Sequence, residues 1–247
     1  MSIRSCSITD MGRHRQTNQD YVFTSEVPVG QLPNLFMVAD GMGGYKAGEY
    51  ASKNTIETIV NSVMLSTEKR PIKLLTDAIQ NANHVIRKKS TSDDNYRGMG
   101  TTLVLSYFDG KELCVANVGD SRLYVIGDKI RQITTDHSLV EEMIRMGGLE
   151  RSKARLHPDK NIITRAVGVV ENVEVDFFEV DDINDGDFVL LCSDGLTNMI
   201  EDEDIEQIVR GSGNLEDKAR ILVNTANANG GKDNIAVVLL QIYFDGE

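Results

Sequence analysis

Nine short runs rich in Val, Ile, Leu, Phe and Tyr, and the way helical periodicities fall among them, limit the folds open to this 247-residue chain. The runs are residues 3–9, 21–24, 35–39, 101–106, 113–117, 123–126, 173–178, 188–192 and 235–243, and Gly, Asp or Asn bound them as strand punctuation. Apolar residues at helical spacing predict helices over 47–64, 72–88, 138–146 and 215–228, with Pro71 placed where a first turn tolerates it. The first two helices fall together between the third and fourth strands, and the last precedes the final strand. A doubly wound parallel sheet would alternate strand and helix strictly; clustered strands instead predict two antiparallel sheets flanked by helices, an α+β architecture. No segment reads as a linker, so one domain over 1–247 is expected. Residues 147–161, polar and holding Gly and Pro, interrupt the pattern. They read as a mobile surface loop or as a lid near a substrate.

Composition narrows the chemistry. With 40% hydrophobic residues but only 6% aromatic and no Trp, the core must be built from aliphatic side chains and Met. The net charge of −12 opposes nucleic-acid phosphates and anionic lipid, and the short basic stretches 87–89 and 151–155 lack interleaved aromatics, so neither partner is expected. Cys6, Cys114 and Cys192 are odd in number, scattered and without CxxC spacing, which predicts small core residues in a reducing compartment. The first ten residues lack the apolar stretch of a signal peptide, and the most apolar late segment is about half the ~20 residues of a membrane span. A soluble, cytoplasmic protein without membrane insertion is expected.

Four acidic motifs share one design, an apolar strand running into an aspartate followed by Gly, Ser or Asn: Val38-Ala39-Asp40-Gly41, Val118-Gly119-Asp120-Ser121, Cys192-Ser193-Asp194-Gly195 and Gly231-Lys232-Asp233-Asn234. A single Asp-Gly after a strand is more often a turn than a ligand. If four converge, several carboxylates can share a site only with cations among them, because repulsion would otherwise protonate some. Oxygen donors select hard ions such as Mg²⁺, Mn²⁺ or Ca²⁺ over Zn²⁺ or Cu²⁺. The glycines of Asp40-Gly41-Met42-Gly43-Gly44 lack the Lys-Ser/Thr of a P-loop and fit close backbone approach to a metal or its waters. Upstream, Arg15 lies near Asn18 and Asp20; a guanidinium there can grip phosphate oxygens in bidentate fashion or form a surface ion pair with Asp20. Of the four histidines, His84 reads as structural and His137 as a helix-start residue, with Asp136 or Ser138 as the cap. No Ser-His-Asp or Cys-His pattern argues for a covalent intermediate.

Eight stretches taken together carry a resemblance: RQTNQD (15–20), VADGMGG (38–44), GMGTT (98–102), VGDSRLY (118–124), DHS (136–138), IITRAVG (162–168), SDGLTN (193–198) and GGKDNI (230–235). In this order, they resemble the metal-dependent protein phosphatase family (PPM, protein phosphatase type 2C), particularly its compact bacterial members, over nearly the whole chain. The resemblance implies a four-layer αββα sandwich with a metal cluster at one end, between the sheets. It implies that Asp40 bridges two ions, that Asp194 and Asp233 complete the first, and that the Gly41 carbonyl serves the second. Asp20 would hold that ion's waters or the ion itself. Asp120 with Asp194 would form the weaker third site of bacterial relatives, and Arg15 would bind the substrate phosphate. Residues 147–161 would be the family's variable flap.

The implied activity is hydrolysis of phosphoserine and phosphothreonine on proteins by direct attack of a hydroxide bridging two Mn²⁺ or Mg²⁺ ions, opposing a eukaryotic-type kinase. Phosphate monoester hydrolysis needs accelerations approaching ~10²¹, beyond the ~10²–10⁴ of general acid–base help, so metals must carry most of it. Met42 stands where eukaryotic members often place a His proposed as general acid. Leaving-group protonation then falls first to a metal-bound water, with His137 a distant second, and Gln19 stands where those members tend to carry Glu. Expected partners are phosphoproteins, including a cognate serine/threonine kinase and its substrates, and the protein itself is expected to be a monomer. A phosphatase dedicated to one partner is a second enzyme reading. A non-catalytic phosphoprotein-binding or metal-sensing module on the same fold is the alternative from another class; such degenerate members usually lose a metal carboxylate, whereas Asp40, Asp194 and Asp233 are all present.

Overall fold

The computed structural model describes residues 2–244, so residue 1 and residues 245–247, the ends of the expected 1–247 domain, lie outside the described residues. The first block is β1 (Ser2–Asp10), β2 (Asp20–Ser25) and β3 (Leu35–Met42), followed by the helix pair α1 (Tyr45–Leu65) and α2 (Pro71–Ser92). Then come β4 (Gly100–Thr101), β5 (Leu103–Phe108), β6 (Leu113–Val118), β7 (Arg122–Ile126), β8 (Ile130–Gln132) and the helices α3 (Leu139–Arg145) and α4 (Arg151–Ala154). The last third holds β9 (Asp176–Val180), β10 (Phe188–Cys192), α5 (Asp194–Thr197), α6 (Asp202–Arg210), α7 (Leu215–Ala228) and β11 (Ile235–Tyr243).

Every strand pairing is antiparallel among the described residues. One sheet runs β1-β11-β10-β7-β8; the other runs β2-β3-β5-β6-β9, with β4 against β3. The period-2 alternation of the central strands explains the layering. On β11, Ala236, Val238, Leu240 and Ile242 face a core shared with Phe36 and Val38 of β3, while Ile235, Val237 and Leu239 face a second core with Leu222 and Ala226 of α7. On β3 the other face, Leu35, Met37 and Ala39, joins a third core with Ile56 and Ile59 of α1 and Leu75 and Ile79 of α2. These three main cores, with a smaller cluster of Ala47, Ala51, Ile86 and Met99 between α1 and α2, lie between the four layers of the expected αββα sandwich.

Local departures from the sequence reading have local causes. The run expected as one strand over 101–106 divides at Thr102, because Thr101 exchanges main-chain hydrogen bonds with Val167 while Thr102 N–H bonds the Asp40 carbonyl at 2.9 Å. The strand expected from residue 173 begins at Asp176; Val173 is instead a buried loop residue whose N–H bonds Gln80 Oε1 at 3.2 Å. The edge strand β8 carries one apolar residue, too few to show a period, while α6 is a nine-residue helix that packs Ile205, Ile208 and Val209 on one face; neither is among the expected elements. Within 147–161 the expected loop contains the single-turn α4, and the segment is tied down at three points. Arg151 bonds Glu141 twice (3.0 and 2.7 Å), Arg155 pairs with Glu201 at 2.9 Å, and Lys160 Nζ bonds Asn198 Oδ1 at 3.0 Å. Among the described residues no helix is long and apolar enough to cross a membrane.

Candidate functional site

Strand pairing places the acidic residues before any side-chain interaction is considered. β2 and β3 pair so that Asp20 lies opposite Asp40. β10 and β11 are neighbours, so the segments at their ends, Ser193-Asp194 and Asp233-Asn234, lie side by side. Asp120 occupies the turn between β6 and β7. The glycine after Asp194 serves proximity: a Cβ on Gly195 would lie 1.8 Å from the Asn234 carbonyl oxygen. Gly41 likewise sits against the first turn of α1, its would-be Cβ 2.0 Å from the Gly48 carbonyl oxygen, so its smallness admits close approach.

A cavity of about 240 Å³ results, lined among others by Arg15, Asp40, Gly41, Asp120, Asp194 and Asp233. Asp20 is buried beside it, its Oδ2 accepting the Ser193 hydroxyl at 2.7 Å. The Asp40 carboxyl lies within hydrogen-bonding reach of those of Asp20 and Asp194. Removal from water is the largest influence on all four interior aspartates, and their mutual repulsion adds to it. Asp20 is pushed up to about 7 and Asp194 to about 6, the latter also by Asp233. Asp40 is raised well above the carboxylate range by burial and then by Asp20, Asp194, Asp120 and Asp233; Asp120 is raised by burial and then by Asp194.

Such crowding suits divalent cations. Among the described residues the Oδ1 atoms of Asp20 and Asp194 are buried and have no hydrogen-bond partner, an orphaning costly for a carboxylate unless a cation or its water meets it. No three His, Cys, Asp or Glu among the described residues close into a ready-made cage. Hard cations also draw on main-chain carbonyls and retained waters, so a partly open oxygen set still fits them.

Arg15 departs from the ion pair with Asp20 expected as its plain reading. Its guanidinium bonds Asp233 Oδ2 at 2.6 Å, half-exposed at the rim, while Asp20 is already engaged inside. That bond raises the Arg15 value further, so the charge is permanent.

Several supporting residues escaped the sequence reading although they adjoin the motif aspartates. Thr102 Oγ1 accepts the Asp40 N–H at 3.0 Å and meets Ser121 Oγ at 2.7 Å, joining the Asp40 and Asp120 segments. Ser193 Oγ, besides holding Asp20, accepts the Ala236 N–H at 2.8 Å. Asn234 accepts the Gln19 N–H through Oδ1 and donates through Nδ2 to the carbonyls of Met11 and Thr17, each at 2.9 Å, fastening the Arg15 loop to the site. Asn198 links the 147–161 segment inward, receiving Lys160 and donating to Asp194 Oδ2 at 2.8 Å. Ser138 is the cap of α3, accepting the Glu141 N–H at 3.2 Å, one of the two caps expected. His84 lies on an exposed face of α2.

A two-sheet sandwich with this acidic cleft at one end defines the class: the chain matches the family model for protein phosphatase 2C over residues 6–235, and it belongs to that family, an enzyme family of protein phosphatases. Among its relatives is the serine/threonine phosphatase stp of Listeria monocytogenes serotype 4b, 40% identical over 238 residues that cover 94% of this chain and 93% of that one. The S. agalactiae serine/threonine phosphatase structure superposes with a TM-score of 0.90 at 36% identity, covering 98% of this chain and 100% of that one. The catalytic domain of the phosphatase PstP, in complex with two manganese ions, superposes with a TM-score of 0.84 at 29% identity, covering 98% and 99%.

Proposed function

We propose that this chain is a metal-dependent protein phosphatase acting on phosphoserine and phosphothreonine in proteins. The observation that carries the reading is the single cavity into which Asp40, Asp194 and Asp233, widely separated along the chain, are gathered with Arg15 on the rim. Asp40, central to the repulsion, would bridge two ions; Asp194 and Asp233 would complete the first, and the Gly41 carbonyl would serve the second. Asp20, held by Ser193, would support the second ion through water or directly, and Asp120 with Asp194 would hold a weaker third. Mn²⁺ or Mg²⁺ fits this all-oxygen set, and the manganese in PstP favours the former.

When bound, such cations lower the pKa of water enough to supply a nucleophile at neutral pH and offset the charge that would repel a phosphate dianion. Arg15 contributes fork-shaped donors: exchanging Asp233 for phosphate oxygens, it would orient the monoester for in-line attack. Met42, also lining the cavity, has no proton to give, so protonation of the leaving alkoxide falls to water. His137 is set aside as its source, because its ring is engaged behind the Gly119 turn.

The reading extends to one catalytic domain over 1–247 with a flap at 147–161, working as a cytoplasmic monomer against a eukaryotic-type kinase and its substrates. Phosphopeptide hydrolysis by the protein and by Asp194→Asn, with Mn²⁺ and with EDTA, tests its core. Turnover should require Mn²⁺, stop reversibly with chelation and vanish in the variant while the fold is retained. Turnover in EDTA, or in Asp194→Asn, would overturn it.

A further inference from the structure

Behind the cavity, one buried imidazole joins two parts of the molecule that the reaction scheme leaves unconnected. His137, 7% exposed, precedes α3, and its ring faces the turn that carries Asp120. Gly119 N–H donates to His137 Nδ1 at 3.0 Å, and the His137 N–H donates back to the Gly119 carbonyl at 3.0 Å. His137 therefore holds both main-chain polar groups of the residue before Asp120, and the carbonyl also accepts from Asn117 Nδ2 at 3.2 Å. Gly119 itself has φ +107°, a conformation other side chains rarely adopt.

The far side of the ring is also engaged. Because Nδ1 accepts, the neutral imidazole carries its hydrogen on Nε2 and donates it to Asp176 Oδ2, 3.1 Å away. Arg165, whose Nη1 lies 3.2 Å from Nε2, gives a hydrogen to Asp176 Oδ1 at 2.6 Å. Arg165 belongs to the segment leaving the flap, and that segment is zipped to the same place: Thr164 N–H bonds the His137 carbonyl at 2.8 Å and Leu139 N–H bonds the Ile162 carbonyl at 2.9 Å. A carboxylate, an imidazole and a main-chain amide thus form one line from the flap exit to the Asp120 turn.

We propose that His137 is a positioning residue for Asp120: its ring ties the Gly119 amide to the Arg165–Asp176 pair, so that the segment leaving the flap sets where the Asp120 carboxylate points. The inference rests on the reading of Asp120 as a cation ligand with Asp194. The arrangement is that of an outer hydrogen-bond partner orienting a ligand, whose loss typically weakens metal affinity about 10–100-fold.

Calorimetric Mn²⁺ titration of the full chain, without substrate, tests it. Asp120→Asn should remove the weakest binding step and leave the tighter ones. His137→Ala should weaken that same step about tenfold. His137→Asn, whose amide oxygen falls near the position of Nδ1 but whose side chain is too short to reach Asp176, should recover part of it and not all. Asp176→Asn, a change at the half-exposed end, should shift the same step in the same direction and decides the matter if His137→Ala does not fold. Unchanged binding in His137→Ala and Asp176→Asn, or uniform weakening of every step, while Asp120→Asn removes only one, would overturn the positioning role. Unchanged binding in Asp120→Asn would overturn the assignment of Asp120 itself, and the role of His137 with it.

Discussion

The carboxylate of Asp233 is bonded by Arg15 and borders the cation site proposed above, and Arg15 is the partner free to leave: half-exposed, it sits on the loop that Asn234 fastens to the cleft. A charge-assisted hydrogen bond is worth about 1.5–3 kcal/mol, so Arg15→Ala should lower kcat/KM for a phosphopeptide by about ten- to a hundredfold, mainly through KM. Steady-state kinetics at saturating Mn²⁺ checks this; a loss confined to Mn²⁺ affinity would contradict the phosphate role. Legibility at this scale divides by chemistry. Aspartates stand out because the residue type alone implies charge, and four in one local pattern invite a common centre. Thr102, Ser121, Ser193 and Asn234 were invisible as supports, because a hydroxyl or amide beside a motif says nothing about which distant backbone it reaches; Asn234 contacts Met11 and Thr17 more than 200 positions away. The pairing of Arg15 with Asp233 rather than nearby Asp20 was hidden for the same reason.

Among elements, the decisive contacts are between loops at strand ends. Gly12, at φ +77°, would place a Cβ 2.1 Å from the Asp233 carbonyl oxygen, and Gly195 one 1.8 Å from that of Asn234. The segment before β11 is thus sandwiched between the Arg15 loop and α5 with no room for a methyl group on either side. Gly195→Ala should therefore destabilise by about 1–3 kcal/mol or more and reduce turnover together, read from urea unfolding and phosphopeptide hydrolysis. Wild-type stability and activity in that variant would show that the two segments can separate freely. α7 and β11 were legible to the residue, periodicity accumulating over 14 and 9 positions, whereas the helices expected over 47–64 and 72–88 run on to Tyr45–Leu65 and Pro71–Ser92. The single-turn α4 and α5 and the three-residue β8 offer too few positions for any period to register.

For the molecule as a whole, three cores supply the rigidity that holds like charges together at one end of the sandwich. The cost should be visible as a dependence on pH. Asp20 and Asp194 rise from the ordinary 3.8 to about 7 and about 6, so between those limits the folded chain holds more protons than the unfolded one. The sign follows: in EDTA, stability should be greatest near pH 4 on this account and fall as pH rises towards 7. Mn²⁺ should oppose the fall, since its binding strengthens as carboxylates deprotonate. Scanning calorimetry across pH 4–8, with and without Mn²⁺, checks both signs.

The central claim is that Asp40, Asp194 and Asp233 meet around shared cations. Anomalous scattering at the manganese edge, from crystals grown with Mn²⁺ and shown to be active on dissolution, measures it directly. The account predicts two peaks about 3.5–4 Å apart in the cleft, with the Asp40 carboxylate in contact with both and Asp194 and Asp233 on one of them. Peaks elsewhere, or none beside Asp40 in protein that retains Mn²⁺-dependent turnover, would contradict it.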